Sequence, residues 1–232
     1  MTKKKYKFYC FFNRIVYCSL VFVFLFSCQN EPKKSEKKLP YLGKPELTEI
    51  VYKIVNGKKT TDTIYPVIPD FQFLNQDSIK ITKQSKSLKG KIWIADFFFT
   101  SCTTICPLMT KNMKYVDSIS KTLSDDIALL SFSINPDFDT PSILKKYRKK
   151  YKITSNNWLF LTGDETKTHR LGIDNFLVFA ERNEDVTDGF AHSGAFTLVD
   201  KKGYVRGVYL GTDKNEVDKL IKDLNTLLKE YK

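Results

Sequence analysis

Apolar residues along the chain recur at several spacings, and each spacing predicts a kind of element. The first run, Ile15 to Phe26 (IVYCSLVFVFLF), is twelve residues long, follows a basic start and is too short to cross a bilayer as a helix. Residues 29–45 (QNEPKKSEKKLPYLGKP) lack apolar periodicity and read as a flexible tether. Glu46 to Val55 and Lys59 to Val67 are β-rich stretches around Asn56-Gly57, a pair that tolerates the positive φ angles of a tight hairpin turn. Phe71, Phe73, Ile79 and Ile81 suggest short strands entering the core. Lys91 to Thr100 (KIWIADFFFT) has the unbroken apolar character of a strand covered on both faces.

Beyond that strand the period changes. Leu108, Met109, Met113, Val116, Ile119 and Leu123 recur at steps of three and four, the stripe of an amphipathic helix with Pro107 in its first turn. A strand follows over Ile127 to Ile134, a helix over Ser142 to Tyr151, a strand over Trp158 to Leu161 and a short helix near Glu165 to Leu171. A hairpin is expected from Ala195 to Val199 and Val205 to Leu210, closed around Asp200-Lys201-Lys202-Gly203. In the final helix, Lys214 to Glu230, Val217, Leu220, Ile221, Leu224, Leu227 and Leu228 share one face. Strands alternating with helices predict an α/β sandwich around a mixed central sheet, with an extra N-terminal β-hairpin. The 232 residues, 42% hydrophobic, carry one core; no internal repeat or second domain is visible.

A net charge of +12 raises the question of nucleic acid. Lys3, Lys4, Lys5, Lys7 and Arg14 supply five of those charges, and the rest comes from scattered cations, mostly lysines, among 26 acids, without an arginine cluster or a glycine-aromatic RNA-binding motif. The pattern describes a solvated surface and no nucleic-acid partner, with attraction to anionic phospholipid left open. Basic start, short apolar run and Ser27-Cys28 resemble a bacterial lipoprotein signal, in which residues 1–27 are removed and Cys28 carries the lipid. A retained membrane anchor is the alternative; either way the body lies outside the cytoplasm. Cys10 and Cys18 would leave with the signal. The body then holds one close cysteine pair, too few for a disulfide framework.

That pair, Cys102 and Cys106, sits where a buried strand turns into a helix. Unpaired N–H groups and the helix dipole at such a junction favour thiolate over thiol, which makes a nucleophile or a soft metal ligand. With three residues between them the sulfurs can form a disulfide or converge on one ion. Two small buried hydrophobes near a turn would be the bland alternative. His192 directly precedes the C-terminal hairpin, in line to meet the cysteines, whereas His169 lies in a polar helix next to Arg170 and is expected to face solvent.

The segment Asp96 to Thr110 (DFFFTSCTTICPLMT) resembles the C-x-x-x-C-P motif of the Sco/SenC family. Ser133 to Pro141 (SINPDFDTP), Trp158 to Gly163 (WLFLTG) and His192 to Gly203 are similar to three further family blocks in the same order. The resemblance implies a thioredoxin-like fold over 46–232 and one copper per chain, Cu(I) or Cu(II), on Cys102, Cys106 and His192. It also implies an envelope-facing, lipid-anchored protein that delivers copper to the copper-binding subunit of cytochrome c oxidase, or reduces that subunit's cysteines, alongside other envelope copper or thiol-disulfide proteins. Two thiolates suit Cu(I) and an added imidazole accommodates Cu(II). Thr103 stands where the family commonly has proline, and Asn135 where it usually has aspartate. Asp139-Thr140-Pro141 is explained by a helix start with a capping side chain and an early proline, outside the site.

The rival function is a thiol-disulfide oxidoreductase or thiol peroxidase that uses Cys102 and Cys106 as a redox pair. The three-residue spacing and lack of an adjacent tryptophan separate the motif from thioredoxin-type C-x-x-C, and Phe99 occupies the position of the peroxiredoxin proline. A binding lipoprotein with a vestigial site is a third class.

Overall fold

The computed structural model describes residues 38–182 and 190–231, apart from the side chains of Glu181 and His192. Its main feature is a seven-stranded mixed sheet. In chain order the strands outside and inside it are β1 (Glu49–Val55), β2 (Lys58–Ile64), β3 (Gln72–Asn75), β4 (Lys80–Thr82), β5 (Ile92–Phe98), β6 (Ile127–Ser133), β7 (Trp158–Thr162), β8 (Ala180–Arg182), β9 (Phe190–His192), β10 (Ala195–Val199) and β11 (Val205–Leu210). The helices are α1 (Cys106–Leu123), α2 (Pro141–Lys150), α3 (Glu165–Arg170), continued by a π-helical segment over Leu171–Phe176, and α4 (Lys214–Lys229).

The large sheet runs β11-β10-β5-β6-β7-β3-β4, with β1-β2 and β8-β9 as separate two-stranded ribbons. β5, β6 and β7 are parallel and every residue in them is buried, as apolar strands covered on both faces must be. β10 and β3 flank them antiparallel. Successive residues of β5 feed opposite layers of core. Phe98 meets Tyr147 of α2 and Phe160, both at 5.4 Å between ring centroids. Phe97 meets Phe132 at 5.1 Å and Phe176 of the π-helical segment at 5.5 Å. Thus α1 and α2, joined by the Thr110–Tyr147 hydroxyl contact at 2.7 Å, cover one face, and the π-helical segment covers the other.

The periodicity of the sequence is answered element by element, with differences at the edges. Ile79 is 58% exposed, because it lies in the turn that leads into β4. The buried face of α1 contains Met109, Thr110, Asn112, Met113, Val116, Asp117 and Ser120, while Leu108 is exposed. The predicted stripe is therefore rotated toward polar positions that apolar counting ignores; Asn112 Nδ2 donates to Gly211 O at 2.7 Å there. The β8-β9 ribbon and the π-helical segment were not legible, being three and six residues long without a period of their own.

All buried apolar core residues lie between Ile68 and Leu227. The stretch read as tether is bonded to the domain at its end: Leu42 N–H donates to Val205 O at 2.9 Å and Leu39 N–H to Glu230 Oε1 at 2.8 Å. Residues 1–37, hence the signal reading and Cys28, lie outside the described residues. Among the described residues no helix is long and apolar enough to cross a membrane.

Candidate metal and redox centre

β5 ends at Phe98 and the chain passes through Phe99, Thr100 and Ser101 to Cys102 before α1 begins at Cys106. The start of α1 lacks a conventional cap: Ile105, the N-cap residue, makes no side-chain bond into the helix. Instead Cys106 N–H donates to Cys102 Sγ at 3.4 Å, so the first cysteine sulfur meets one of the N–H groups that a helix start leaves without a backbone partner. Cys102 Sγ also lies 3.5 Å from Thr104 Oγ1. Both cysteines are thiols, and both are buried, Cys102 at 7% exposure and Cys106 at 1%. Ser101, Thr103 and Thr104 around them are exposed, so an approaching partner meets Cys102 first.

The expectation that the helix terminus favours thiolate is corrected for one of the two. Hydrogen bonding with Cys102, reinforced by burial, pushes the Cys106 thiol far above its ordinary value, against the lowering effect of a backbone bond at Phe99. Near a helix start each sulfur alone would be favoured as thiolate, but the hydrogen bond between the two sulfurs and the deeper burial of Cys106 favour its thiol. Such a pair can lose two electrons and two protons to become a disulfide, or exchange its protons for a soft cation.

Asp139, which the sequence assigns to helix capping, has a different task. Thr140 is the N-cap of α2, and its hydroxyl lies 3.1 Å from Ser142 Oγ without capping a backbone N–H of the first turn; Pro141 stands at the early position expected. Asp139 is fully buried and accepts from Thr100 N–H at 3.0 Å (Oδ2), from Ser133 Oγ at 2.6 Å (Oδ2) and from Thr100 Oγ1 in a short bond (Oδ1). It ties the cysteine loop to the end of β6. Burial raises its carboxyl above the ordinary range, and the bonds from Ser133 and Thr100 oppose that rise. Asn135 sits in the same turn, its N–H donating to Ser133 Oγ at 3.1 Å and its carbonyl accepting from Asp139 N–H at 2.9 Å.

His192 closes β9, paired with Ala180, and its side chain lies outside the described residues. The backbone that follows it is well placed. Ser193 N–H donates to Phe179 O at 2.9 Å, and Gly194, at φ +66°, packs so closely that a Cβ there would sit 3.1 Å from Ile105 Cδ1 and 3.8 Å from Met109 Sδ. The segment carrying His192 therefore runs beside the start of α1. Phe190, two residues earlier, packs on Phe99 at 5.1 Å and lies under the Arg182 guanidinium at 4.9 Å, with Arg182 bound to Glu165 at 2.8 Å. His169 is not solvent-facing as predicted: its Nε2 is 2.9 Å from Ile134 O and its ring is 6.2 Å from that of Phe190. Proximity to β6 and β9, invisible from the polarity of its own helix, accounts for the difference.

Among the described residues no three His, Cys, Asp or Glu side chains gather as a metal site, so the two sulfurs form the described part of the centre. An open cleft of about 970 Å³, lined by Asp70, Phe73, Pro136, Pro141, Gly163 and Lys167 among others, does not include either cysteine.

The family model described as SCO1/SenC matches residues 59–229, which is most of the chain and the whole of this arrangement. The chain belongs to the SCO1/SenC family. A SCO1/SenC family lipoprotein from Bacillus anthracis is 34% identical over 70% of this chain and 95% of its own, with a TM-score of 0.63. BsSco, whose structure is described as identifying a disulfide switch in a member of the Sco family of cytochrome c oxidase assembly proteins, is 32% identical over 70% of this chain and 94% of its own, with a TM-score of 0.60. At greater distance the Arabidopsis thaliana ScoI structure with copper bound shares the fold, at 24% identity, 72% and 100% coverage and a TM-score of 0.57. The predicted fold class is that of these Sco proteins.

Proposed function

We propose that this Sco protein binds one copper per chain through Cys102, Cys106 and His192 and acts in the maturation of the copper centre of cytochrome c oxidase. The observation that carries the reading is the thiol pair at the first turn of α1, with Cys106 N–H on Cys102 Sγ at 3.4 Å. The donor chemistry fits: two sulfurs side by side suit Cu(I), and an imidazole arriving on the segment that borders Ile105 would complete a set that also tolerates Cu(II). Copper is the cargo here. Cys102, nearer the surface, is the residue at which it would enter and leave, and uptake would displace the protons of the two thiols.

Residues 1–27 fit a lipoprotein signal, Cys28 a lipidated first residue, 29–37 a tether and 46–232 the functional domain, to which the end of the stretch read as tether is bonded at Leu39 and Leu42; this reading puts the protein in the bacterial cell envelope facing the periplasm. The copper-binding subunit of cytochrome c oxidase is the proposed recipient. A second reading, thiol-disulfide exchange, is favoured by the same hydrogen-bonded pair, since a dithiol can reduce the recipient's cysteines before loading.

Copper titration of the reduced protein beside its Cys102→Ser and His192→Ala variants tests the site. One copper per chain, with a sulfur-to-Cu(II) absorption band lost or altered in both variants, is the expected result. No binding beyond that of a cysteine-free control would discard it and leave thiol-disulfide exchange as the function.

A further inference from the structure

The β1-β2 ribbon is the part of the domain that its own core does not explain. All seven residues of β2 and six of the seven in β1 are exposed, and neither strand pairs with the large sheet. An isolated two-stranded ribbon is marginal in water. This one nevertheless presents apolar side chains to solvent: Ile50 is 66% exposed, Tyr52 66% and Ile54 79%. These three alternate along β1 and therefore share a face, opposite Thr63, Thr61 and Lys59 of β2.

The charges on the ribbon are arranged by height. Residues 50–61 contain Lys53, Lys58 and Lys59 and no acid. Lys53 is bound to Asp62, which leaves Lys58 and Lys59 as the unneutralised cations at the tip. Lys59 Nζ lies 4.2 Å from the centroid of the Tyr52 ring, so an ammonium stands on the apolar face itself. Aliphatic side chains, a tyrosine and lysines that can extend past them are the composition that settles at a bilayer interface, where apolar stems sink and ammonium groups reach phosphates. A second copy fits less well, because pressing two such faces together would bury the ammonium of each Lys59 without an acid on either face.

We propose that the β1-β2 hairpin is a membrane-docking element that lays the Ile50, Tyr52 and Ile54 face on an anionic phospholipid surface. The described chain starts at Lys38, ten residues past Cys28, so a lipid at Cys28, as the lipoprotein reading has it, would keep Lys38 within about 35 Å of a membrane, the most that ten residues can span. Docking is a property of the hairpin and goes beyond the copper reading; it uses none of Cys102, Cys106 and His192.

The test uses the full chain carrying Tyr52→Trp and vesicles of phosphatidylglycerol and phosphatidylcholine with brominated acyl chains. The native tryptophans, Trp93 and Trp158, are 3% and 1% exposed, so a quenched component reports position 52. Emission at that position is expected to shift to shorter wavelength and be quenched. Quenching should fall about tenfold in pure phosphatidylcholine, and likewise on adding Lys58→Glu and Lys59→Glu. Chains that float with the vesicles but show no quenching would overturn the proposal while leaving the anchor at Cys28 standing. Quenching that ignores lipid charge and the lysine changes would overturn it too. So would a dimer, seen by sedimentation and lost on Ile50→Ser with Ile54→Ser, without quenching. Copper binding by the same variants is expected to be unchanged, which separates this proposal from the metal site.

Discussion

At the scale of single residues, the cysteine loop is tied to β6 by Asp139. Three hydrogen bonds converge on its carboxylate from Thr100 and Ser133. Asp139→Ala removes the acceptor of the half-buried Thr100 N–H and hydroxyl and of the buried Ser133 hydroxyl, and is expected to cost ~2–3 kcal/mol by denaturant unfolding and to weaken copper binding. In Asp139→Asn the amide oxygen can serve Thr100 N–H and Ser133 while its NH2 donates to Thr100 Oγ1, so the loop should hold. The pH dependence separates the two effects. Burial raises the Asp139 carboxyl in the folded state, so the proton is bound more tightly folded than unfolded. Its contribution to stability is fullest below the unfolded pKa of about 3.9 and is lost as pH rises through the folded value. The stability of Asp139→Asn relative to the native chain should therefore improve as pH climbs from about 4 toward neutrality; a constant difference would contradict the burial argument. The two cysteines were legible in the sequence because their chemistry is tied to a strand-to-helix junction. Asp139 was not, because Asp-Thr-Pro has a sufficient local explanation as a helix start, and its true partners are 39 and 6 residues away. The setting of His169 is hidden from the sequence for the same reason, since its contact with Ile134 O crosses 35 residues.

Among elements, the parallel strands β5, β6 and β7, the two long helices and both turn-closed hairpins could be read from period and turn residues, for burial imposes a period on anything that long. Asn56 and Gly57 indeed take φ of 52° and 75°. The β8-β9 ribbon could not be read, because three-residue strands are held by what they pack on: Phe190 on Phe99, and Arg182 on Glu165. Yet this ribbon ends on His192, so the proposed third copper ligand sits on the least legible element. Gly194 is where that dependence can be probed. Its φ of +66° disfavours any other residue, and an added methyl would press on Ile105 Cδ1, just before Cys106. Gly194→Ala is expected to lower stability by about 1–2 kcal/mol and to displace the segment from α1, reducing copper affinity. Gly57→Ala supplies the control, with a comparable φ of +75° and nothing within 4 Å of the added carbon. It should show backbone strain without any change in copper binding, measured side by side with Gly194→Ala.

At the scale of the whole molecule, the start and end of the described chain are joined through one buried cation. Arg206 of β11 is 2% exposed, and its guanidinium donates to Asp200 Oδ2 at 3.1 Å, Glu230 Oε2 at 2.8 Å, Pro40 O at 3.0 Å and Leu39 O at 2.6 Å. The ring of Tyr41 lies 4.3 Å from it. Arginine suits this place because its planar fork can serve four acceptors at once, which a lysine ammonium with three donors could not. The hub holds the entry of the chain at Leu39–Pro40 against the end of α4, so loss of the cation should be felt at both. Arg206→Leu would leave the buried Asp200 and the half-buried Glu230 without their counter-charge and two carbonyls without a donor, at an expected cost of ~3–5 kcal/mol. The loss should be visible as a lowered denaturant midpoint and as new trypsin cleavage after Lys38. Arg206→Lys is expected to recover only part of both, because a single ammonium cannot span Glu230 and Asp200 with Leu39 and Pro40. Full recovery by lysine would mean that charge alone, rather than the fork, joins the ends. Because Arg206 lies in β11, beyond β10 from the cysteine-bearing end of β5, Cu(I) stoichiometry in the surviving folded fraction should stay at that of the native chain. A drop in stoichiometry would show that the closure of the chain ends reaches the thiol pair.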